Sequence, residues 1–269
     1  MSLLTDELDF EARRARFRRI AEAALRERHV QGLAGFGTLQ EKRLHAVVKK
    51  YLCENEDYHE VGVRDTRYVA DVRVGNDIYE VQTGDFYPLK AKIGYYLAET
   101  DCSVTVVHPL AAERAVAWIN PESGTVTKPK KIGYHSRAEE LLPELYPLLP
   151  YLNNPRLRFR LLMLSVEDFR LLNGWSADRK RGSRRYERIP VDLTDDLTFA
   201  NPDDYRRFLP AELASPFRVA EFSKRTRLRG RDAYSAVRVL AALGVVRPAA
   251  PIGRAMAFEI APRGSAQNA

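Results

Sequence analysis

The chain has few cysteines and no long run of apolar residues. Of its 269 residues only Cys53 and Cys102 are cysteine, too few for a disulfide framework or a cysteine-based zinc cluster. No apolar run has the length of a transmembrane helix, and no N-terminal segment has the apolar core of a signal peptide. We therefore expect a cytoplasmic protein with no membrane partner, in which both thiols are inert core residues.

Charge is abundant but unevenly distributed along the chain. The net charge is +7 and the pI is near 9.4. Residues 151–269 hold 22 Lys and Arg against 13 Asp and Glu, a net charge of +9, whereas residues 1–150 hold 21 against 23, a net charge of −2. Such asymmetry is typical of a chain in which one part binds a polyanion. We expect the second half to supply that basic surface.

The segment 70–84 carries the main functional signal. Apolar and polar residues alternate on both of its arms, and Gly75-Asn76 between them suits a two-residue hairpin turn. Counting outwards from that turn places Asp71 directly across from Glu80, with Cβ atoms about 5 Å apart on one face of the sheet. The sequence therefore predicts two carboxylates side by side.

Two ionised carboxylates at that distance repel each other unless a cation offsets their charge. Hard cations such as Mg²⁺ take oxygen ligands, typically one or two carboxylates with waters and substrate phosphate. The pair formed by Asp71 and Glu80 thus predicts half of a Mg²⁺ or Mn²⁺ site that faces a phosphodiester. A solvated strand face with coincidental acids is the alternative.

Helices and a further strand flank this hairpin. Residues 38–52 have helical spacing, with Thr38 as N-cap and Glu41 completing a capping box, which is also the structural explanation for Glu41. A second helix is predicted over 86–98 and a buried strand over 103–107. With a strand near 58–63, the predicted order is helix, strand, two hairpin strands, helix, strand.

That order, with Glu41 on the first helix, Asp71 on one strand and Glu80-Val81-Gln82 on the next, resembles the PD-(D/E)XK nuclease superfamily. The resemblance covers roughly residues 36–120 and implies a restriction-endonuclease-like fold. It further implies Asp71 and Glu80 as principal metal ligands, Glu41 as an accessory ligand, and metal-assisted hydrolysis of a phosphodiester without a protein nucleophile.

Gln82 departs from the pattern of that superfamily, which has lysine at this position. Strand alternation places Gln82 on the Glu80 face, where it would orient a water or bond a phosphate oxygen, but it cannot supply positive charge. Lys90 or Lys92 of the next helix would supply it. Two residues on a helix differ by about 200° in direction, so at most one of them points at the metals, and the sequence leaves the choice open. A solvated helix face is the alternative for both.

Two basic clusters lie further along the chain. The first predicts a basic hairpin tip along a phosphate backbone, with a solvated loop as the alternative; it comprises Arg179, Lys180, Arg181, Arg184 and Arg185. The second lies in residues 210–263, where a short helix, a turn, a longer helix over 231–243 and a hairpin resemble a winged helix. That resemblance implies DNA contacts from Arg227, Arg229, Arg231, Ser235 and Arg238, with Arg254 on the wing.

The expected fold class is α/β: a restriction-endonuclease-like mixed sheet flanked by helices, followed by a winged-helix-like α+β domain. The expected segments are an N-terminal helix in 1–35, the nuclease core in 36–127, a linking region with the basic loop in 128–209, the winged helix in 210–263 and a disordered tail in 264–269. Within them, residues 5–30 are expected as one helix, and 115–119 and 158–166 as strands.

These features predict a metal-dependent DNA endonuclease that a basic winged helix holds on DNA. RNA is not excluded as substrate, and a homodimer is consistent with cutting both strands. Two alternatives stay open: a non-catalytic DNA-binding regulator with a degenerate nuclease fold, and a protein-interaction adaptor. Steep salt dependence of binding would favour either nucleic-acid function over the adaptor.

Overall fold

The computed structural model describes residues 4–5, 8–31, 42–63, 66–133, 135–172 and 184–263. For residues 28–31, 42, 184 and 185 it describes only the backbone. Within these ranges, no helix is both long enough and apolar enough to cross a membrane.

The described residues form six α-helices and ten strands. The helices are α1 (Phe10–Gln31), α2 (Lys42–Leu52), α3 (Leu89–Glu99), α4 (Leu141–Glu144), α5 (Val219–Thr226) and α6 (Gly230–Ala242). The strands are β1 (His59–Gly62), β2 (Val69–Val74), β3 (Asp77–Val81), β4 (Ser103–Ile119), β5 (Lys130–Lys131), β6 (Leu157–Leu171), β7 (Arg184–Phe199), β8 (Phe217–Arg218), β9 (Val246–Ile252) and β10 (Ala255–Ile260). Short 3₁₀ helices include Tyr146–Tyr151 and Pro202–Phe208.

The first seven strands form one mixed sheet in the order β1-β2-β3-β4-β6-β7, with β5 paired to β4. β1 and β2 are antiparallel, whereas β3 and β4 are parallel. The predicted order of helix, strand, two hairpin strands, helix and strand is confirmed by α2, β1, β2, β3, α3 and β4. The chain is therefore an α/β protein with a large mixed sheet flanked by helices.

The chain divides into two compact units, each built from three segments. The first unit comprises Met1–Val74, Pro109–Ser136 and Leu161–Asp196, and the second comprises Gly75–His108, Arg137–Arg160 and Leu197–Ala269. The long strands β4, β6 and β7 each contribute residues to both units. The expected consecutive segments stay a prediction.

Apolar periodicity fixes the inner faces of the helices that carry the candidate site. On α2 the predicted face is buried: Leu44, Val47, Val48 and Tyr51. On α3 the same holds for Leu89, Ile93, Tyr96 and Leu97. Each set repeats at three- and four-residue spacing, which places its members on one side of a helix. Cys53 and Cys102 are free and buried, as expected.

A second, smaller sheet has the order β8-β10-β9. Helices α5 and α6 lie between β8 and β9 in the chain, and the turn between them uses positive φ at Arg227 (63°) and Gly230 (50°). Phe217 packs on Phe222 and Phe258, with ring centroids 6.3 and 6.2 Å apart. The helix-turn-helix and hairpin predicted for this region are confirmed as elements.

Several boundaries differ from expectation, among them that of α3, which begins at Leu89 instead of residue 86, and that of β6, which runs from Leu157 to Leu171. Helix α1 begins at Phe10 because Asp9 Oδ1 accepts a hydrogen bond from the Ala12 amide at 2.8 Å, as an N-cap does. Residues 115–119 are not a separate strand but the end of β4. Pairing of β4 with β3 ends at Val107, so Pro109, which has no amide hydrogen, does not interrupt that ladder.

Candidate functional site

Glu80 lies on β3 in the second unit, and its side chain is 2% exposed. Lys92 Nζ lies 2.6 Å from its Oε2, and Tyr96 Oη donates a hydrogen bond to Oε1 at 3.1 Å. The Lys92 ammonium also lies 5.9 Å from the centroid of the Tyr96 ring. Burying a carboxylate requires such compensation because removing charge from water is costly. The three side chains form one hydrogen-bonded group around the buried carboxylate.

Helix α3 supplies both partners of Glu80 from one face. Lys92 and Tyr96 are four residues apart and therefore neighbours on the helix surface. Lys90 is exposed to solvent. This agrees with the expectation that at most one of the two lysines points at the site. The structure thus brings Lys92 to Glu80 and leaves Lys90 outside this group.

Gln82 lies just after β3 and is held through both its backbone and its side chain. Its amide donates to the Val107 carbonyl at 2.9 Å, and its Nε2 donates to the Asp85 carbonyl at 2.6 Å. His108 Nδ1 lies 2.7 Å from the Gln82 carbonyl and donates to it. The side-chain amide of Gln82 therefore has a structural partner in the adjoining loop.

His108 is a neutral donor in this arrangement. Burial lowers the pKa of its imidazole, and the hydrogen bond to Gln82 opposes that shift only in part. The Phe86 ring meets the imidazole edge-on, with centroids 5.2 Å apart. His108 was not among the predicted site residues, although its position one residue after the buried strand 103–107 was a usable signal.

Asp71 lies on β2 in the first unit, beside His45 of α2. His45 Nε2 and Asp71 Oδ2 are 3.2 Å apart, and the Asp71 side chain is 16% exposed. His45 lies one turn beyond Glu41 in the sequence, a spacing that would place both on one side of a helix. His45 was not among the predicted site residues, and its position relative to Glu41 was the available signal.

The rest of the predicted metal site stays a prediction. Glu41 lies outside the described residues. Strand β2 ends at Val74 and β3 begins at Asp77, which agrees with a two-residue turn. The placement of Asp71 opposite Glu80 follows only from counting residues outwards from that turn and stays a prediction. Across the described ranges, no group of three or more His, Cys, Asp and Glu side chains is arranged to hold a metal ion.

The basic loop lies between β6 and β7. Arg179, Lys180 and Arg181 fall outside the described residues, as do the side chains of Arg184 and Arg185, which begin β7. Arg188, further along β7, forms a two-pronged ion pair with buried Asp168 at 2.6 and 3.0 Å. The partner of Arg188 therefore lies within the first unit. The DNA-binding role of the basic loop stays a prediction.

Five predicted DNA-binding arginines are exposed on the C-terminal part of the second unit. No side-chain partner for any of them occurs among the described residues; they are Arg227, Arg229, Arg231, Arg238 and Arg254. Neighbouring arginines in the same region are instead paired: Arg218 with Glu221, Arg225 with Glu212, and Arg247 with Glu259. These five arginines lie on the turn, on α6 and at the hairpin tip.

Ser235 is a correction to the predicted contact residues. It is buried, with 7% of its surface exposed, and α6 contacts α4 as well as α5. Tyr234 beside it is 43% exposed. Arg231, Tyr234 and Arg238 follow one another at three- and four-residue spacing, so they form the outward stripe of α6.

Comparison with known proteins identifies a family of undetermined function. A search of curated proteins and a search of solved structures each found no match. The matching family model covers residues 42–200, from the start of α2 to the end of β7, and leaves the α5, α6 and β8-β10-β9 region beyond its limit. Because the match spans more than half of the chain, the protein belongs to the family described as Domain of unknown function (DUF8091).

Proposed function

We propose that this protein is a metal-dependent nuclease that hydrolyses phosphodiester bonds in DNA. The observation that carries the proposal is the contact between Lys92 and buried Glu80. A lysine that reaches the strand carboxylate supplies, from the next helix, the positive charge that Gln82 cannot supply. In this role Lys92 balances the charge of Glu80 and stabilises negative charge that develops on the scissile phosphate.

The donor chemistry of the two strand carboxylates fits Mg²⁺ or Mn²⁺. Asp71 and Glu80 would hold the cation as oxygen ligands, with Glu41 as an accessory ligand. When bound, the cation polarises a phosphate oxygen and lowers the pKa of a water molecule. Tyr96 and Lys92 fix the Glu80 carboxylate, and His45 fixes Asp71, so that neither ligand has to be ordered when substrate arrives.

The exposed arginines on the turn, α6 and the wing would hold the DNA. Each arginine that neutralises a phosphate releases a condensed counterion, so affinity should fall steeply with salt. The stripe of Arg231, Tyr234 and Arg238 has the character of a helix that enters a groove, with two cations and one aromatic ring. The helix-turn-helix with its three-stranded sheet supports the finer assignment as a winged helix.

One observation favours a second candidate, a DNA-binding regulator without nuclease activity. The Gln82 side chain donates to the Asp85 carbonyl, and a side chain engaged in this way is less available to a water or a phosphate oxygen. The regulator would keep the arginine surface and its salt dependence but would not cleave.

The test is cleavage of plasmid and of labelled duplex DNA by the purified full chain, with Mg²⁺, Mn²⁺ or chelator, and with an RNA of the same sequence. We expect metal-dependent cleavage that Glu80→Gln, Asp71→Asn and Lys92→Met each reduce by ~10²-fold or more. Lys90→Met is the matched control and should cleave like the parent.

Three outcomes separate the candidates. Binding without cleavage under any metal condition would contradict the nuclease and support the regulator. Absence of DNA and RNA binding at low salt would contradict both and support a protein-interaction adaptor. Equal cleavage by Glu80→Gln and parent would show that the site is misassigned.

A further inference from the structure

The hairpin between β9 and β10 ends in a tip that is exposed and mostly apolar. We call residues 250–256 the wing tip; all of them are exposed. Ile252 pairs with Ala255, and Gly253 and Arg254 form the turn, with Gly253 at a φ of 66°. Ile252 is 37% exposed and Met256 is 55% exposed. A single cation thus stands at the end of the hairpin between two apolar side chains.

The composition of this hairpin is unusual for an element in water. From Pro248 to Phe258, Arg254 is the one residue with a polar side chain. Single exposed apolar residues are normal on a protein surface and need no explanation. Here, however, no polar neighbour on the hairpin accompanies them, and Arg254 has no side-chain partner among the residues that the structure describes.

The stem of the hairpin is well anchored, and its outer edge resists pairing with another chain. Phe258 is buried, and Arg247 forms an ion pair with Glu259 at the base of the hairpin. β9 is the edge strand of its sheet, and it contains Pro248 and Pro251, which have no amide hydrogen to donate. Addition of a strand from a second copy is therefore disfavoured at this edge.

The length and chemistry of the wing tip suit contact with a DNA minor groove. The exposed rise from residue 250 to residue 253 is about 10 Å at strand spacing, and the minor groove is about 7.5 Å deep. Arginine is attracted by the negative potential of that groove. Apolar side chains such as isoleucine and methionine can wedge between base steps and kink the duplex.

We propose that the wing tip inserts into the minor groove, with Arg254 between the phosphate rows and Ile252 and Met256 against a base step. The substrate class that follows is DNA whose base pairs unstack easily, such as duplexes with a mismatch, a nick or a branch. This inference rests on the DNA binding in the proposed function but is independent of cleavage.

The experiment measures binding of the full chain, in chelator so that nothing is cut, to duplexes that carry 2-aminopurine beside a mismatch or a matched step. On binding of the parent we expect a rise in 2-aminopurine fluorescence and ~10-fold tighter binding to the mismatched duplex, since a mismatch lowers the unstacking cost. The double variant Ile252→Ser/Met256→Ser should lose both effects and bind the matched duplex within about 2-fold of the parent.

Two further variants complete the design. Arg254→Gln should weaken binding to every duplex and reduce the slope of log K against log salt by about 0.9, as expected for one lost phosphate contact. Ile132→Ser is the matched control, because Ile132 is also 37% exposed but lies in the first unit; it should behave like the parent. If the double variant does not fold, Met256→Ser alone carries the same comparison.

These measurements separate a failure of the wedge inference from a failure of the proposed DNA binding. If the parent binds duplex DNA but shows no fluorescence change, or if the double variant matches the control, the wedge is overturned while the nuclease proposal stands. If no DNA is bound at low salt, both proposals fail. If the double variant binds DNA normally but converts a dimer into a monomer in sedimentation, the wing tip is a subunit contact and the inference is wrong.

Discussion

Replacing Lys92 with methionine tests the contact on which the proposed site depends. The substitution keeps the length of the side chain and removes its charge, which leaves Glu80 buried at 2% exposure with Tyr96 still donating to Oε1. Removing one partner of a fully buried ion pair costs ~3–5 kcal/mol, whereas exposed pairs contribute ~0–1 kcal/mol. Lys92 is 19% exposed, so we expect an intermediate loss of about 2 kcal/mol.

That loss can be read as a melting temperature. For a chain of this size, 1 kcal/mol corresponds to roughly 2–4 °C, so Lys92→Met should melt about 4–8 °C below the parent. Lys90→Met, on the exposed side of the same helix, should melt within about 1 °C of the parent, as surface substitutions usually do. The double variant Glu80→Gln/Lys92→Met should recover part of the loss because no uncompensated charge remains buried.

Differential scanning fluorimetry and urea denaturation at pH 7 provide the comparison. If Lys92→Met and Lys90→Met melt at the same temperature, the ion pair does not form in solution and the structural argument for Lys92 is refuted. If Lys92→Met is destabilised but cleaves DNA as well as Lys90→Met, Lys92 has a structural role without a catalytic one.

Three further predictions concern the surroundings of the site. Tyr51→Phe removes the hydrogen bond of 2.6 Å to buried Asp196 and should cost about 2 kcal/mol in urea denaturation; a loss below about 0.5 kcal/mol would contradict it. Burial raises the pKa of Glu144, and the nearby charges of Asp85 and Asp232 raise it further, so the folded state disfavours its ionised form. We therefore expect Glu144→Gln to stabilise the protein at pH 7, and this gain in stability should vanish as the pH falls towards 4. Burial lowers the pKa of His108, so the parent should lose stability as the pH falls below about 6.5. The variant His108→Asn should be less stable than the parent at pH 8 but should lose less stability below about pH 6.5.

Local periodicity was sufficient to predict the helices and the hairpin but not the choice between two lysines. On a helical projection, Lys90 and Lys92 flank the apolar face of α3 at similar angles, about 75° on one side and about 85° on the other. Which of them meets Glu80 depends on which side of α3 the end of β3 lies. That relation is set by the loop between β3 and α3, and no spacing within the helix contains it.

The burial of Ser235 on α6 also could not be predicted from the spacing within its own helix. It lies roughly 135° from the centre of the apolar face of α6, a position that predicts exposure. Ser235 is nevertheless buried, and α6 contacts α4, which is about ninety residues earlier in the chain. Arg231 and Arg238 lie nearly opposite the apolar face and are exposed, as predicted. A helix with one packing partner can be predicted from its own pattern, whereas a second partner from a distant segment cannot.

Ion pairing distinguishes the arginines of α1 from those of the C-terminal region. In the first unit, Arg13 pairs with Asp196, and Arg14 and Arg18 both pair with Asp192. Burial raises the pKa of Asp192, but the hydrogen bonds from these two arginines outweigh it and hold that pKa well below its usual range. Arginines neutralised in this way hold α1 in place and attract a polyanion weakly. Among the residues that the structure describes, the arginines of the turn, α6 and the wing tip have no such carboxylate partners, so they keep the charge that the proposed DNA binding requires.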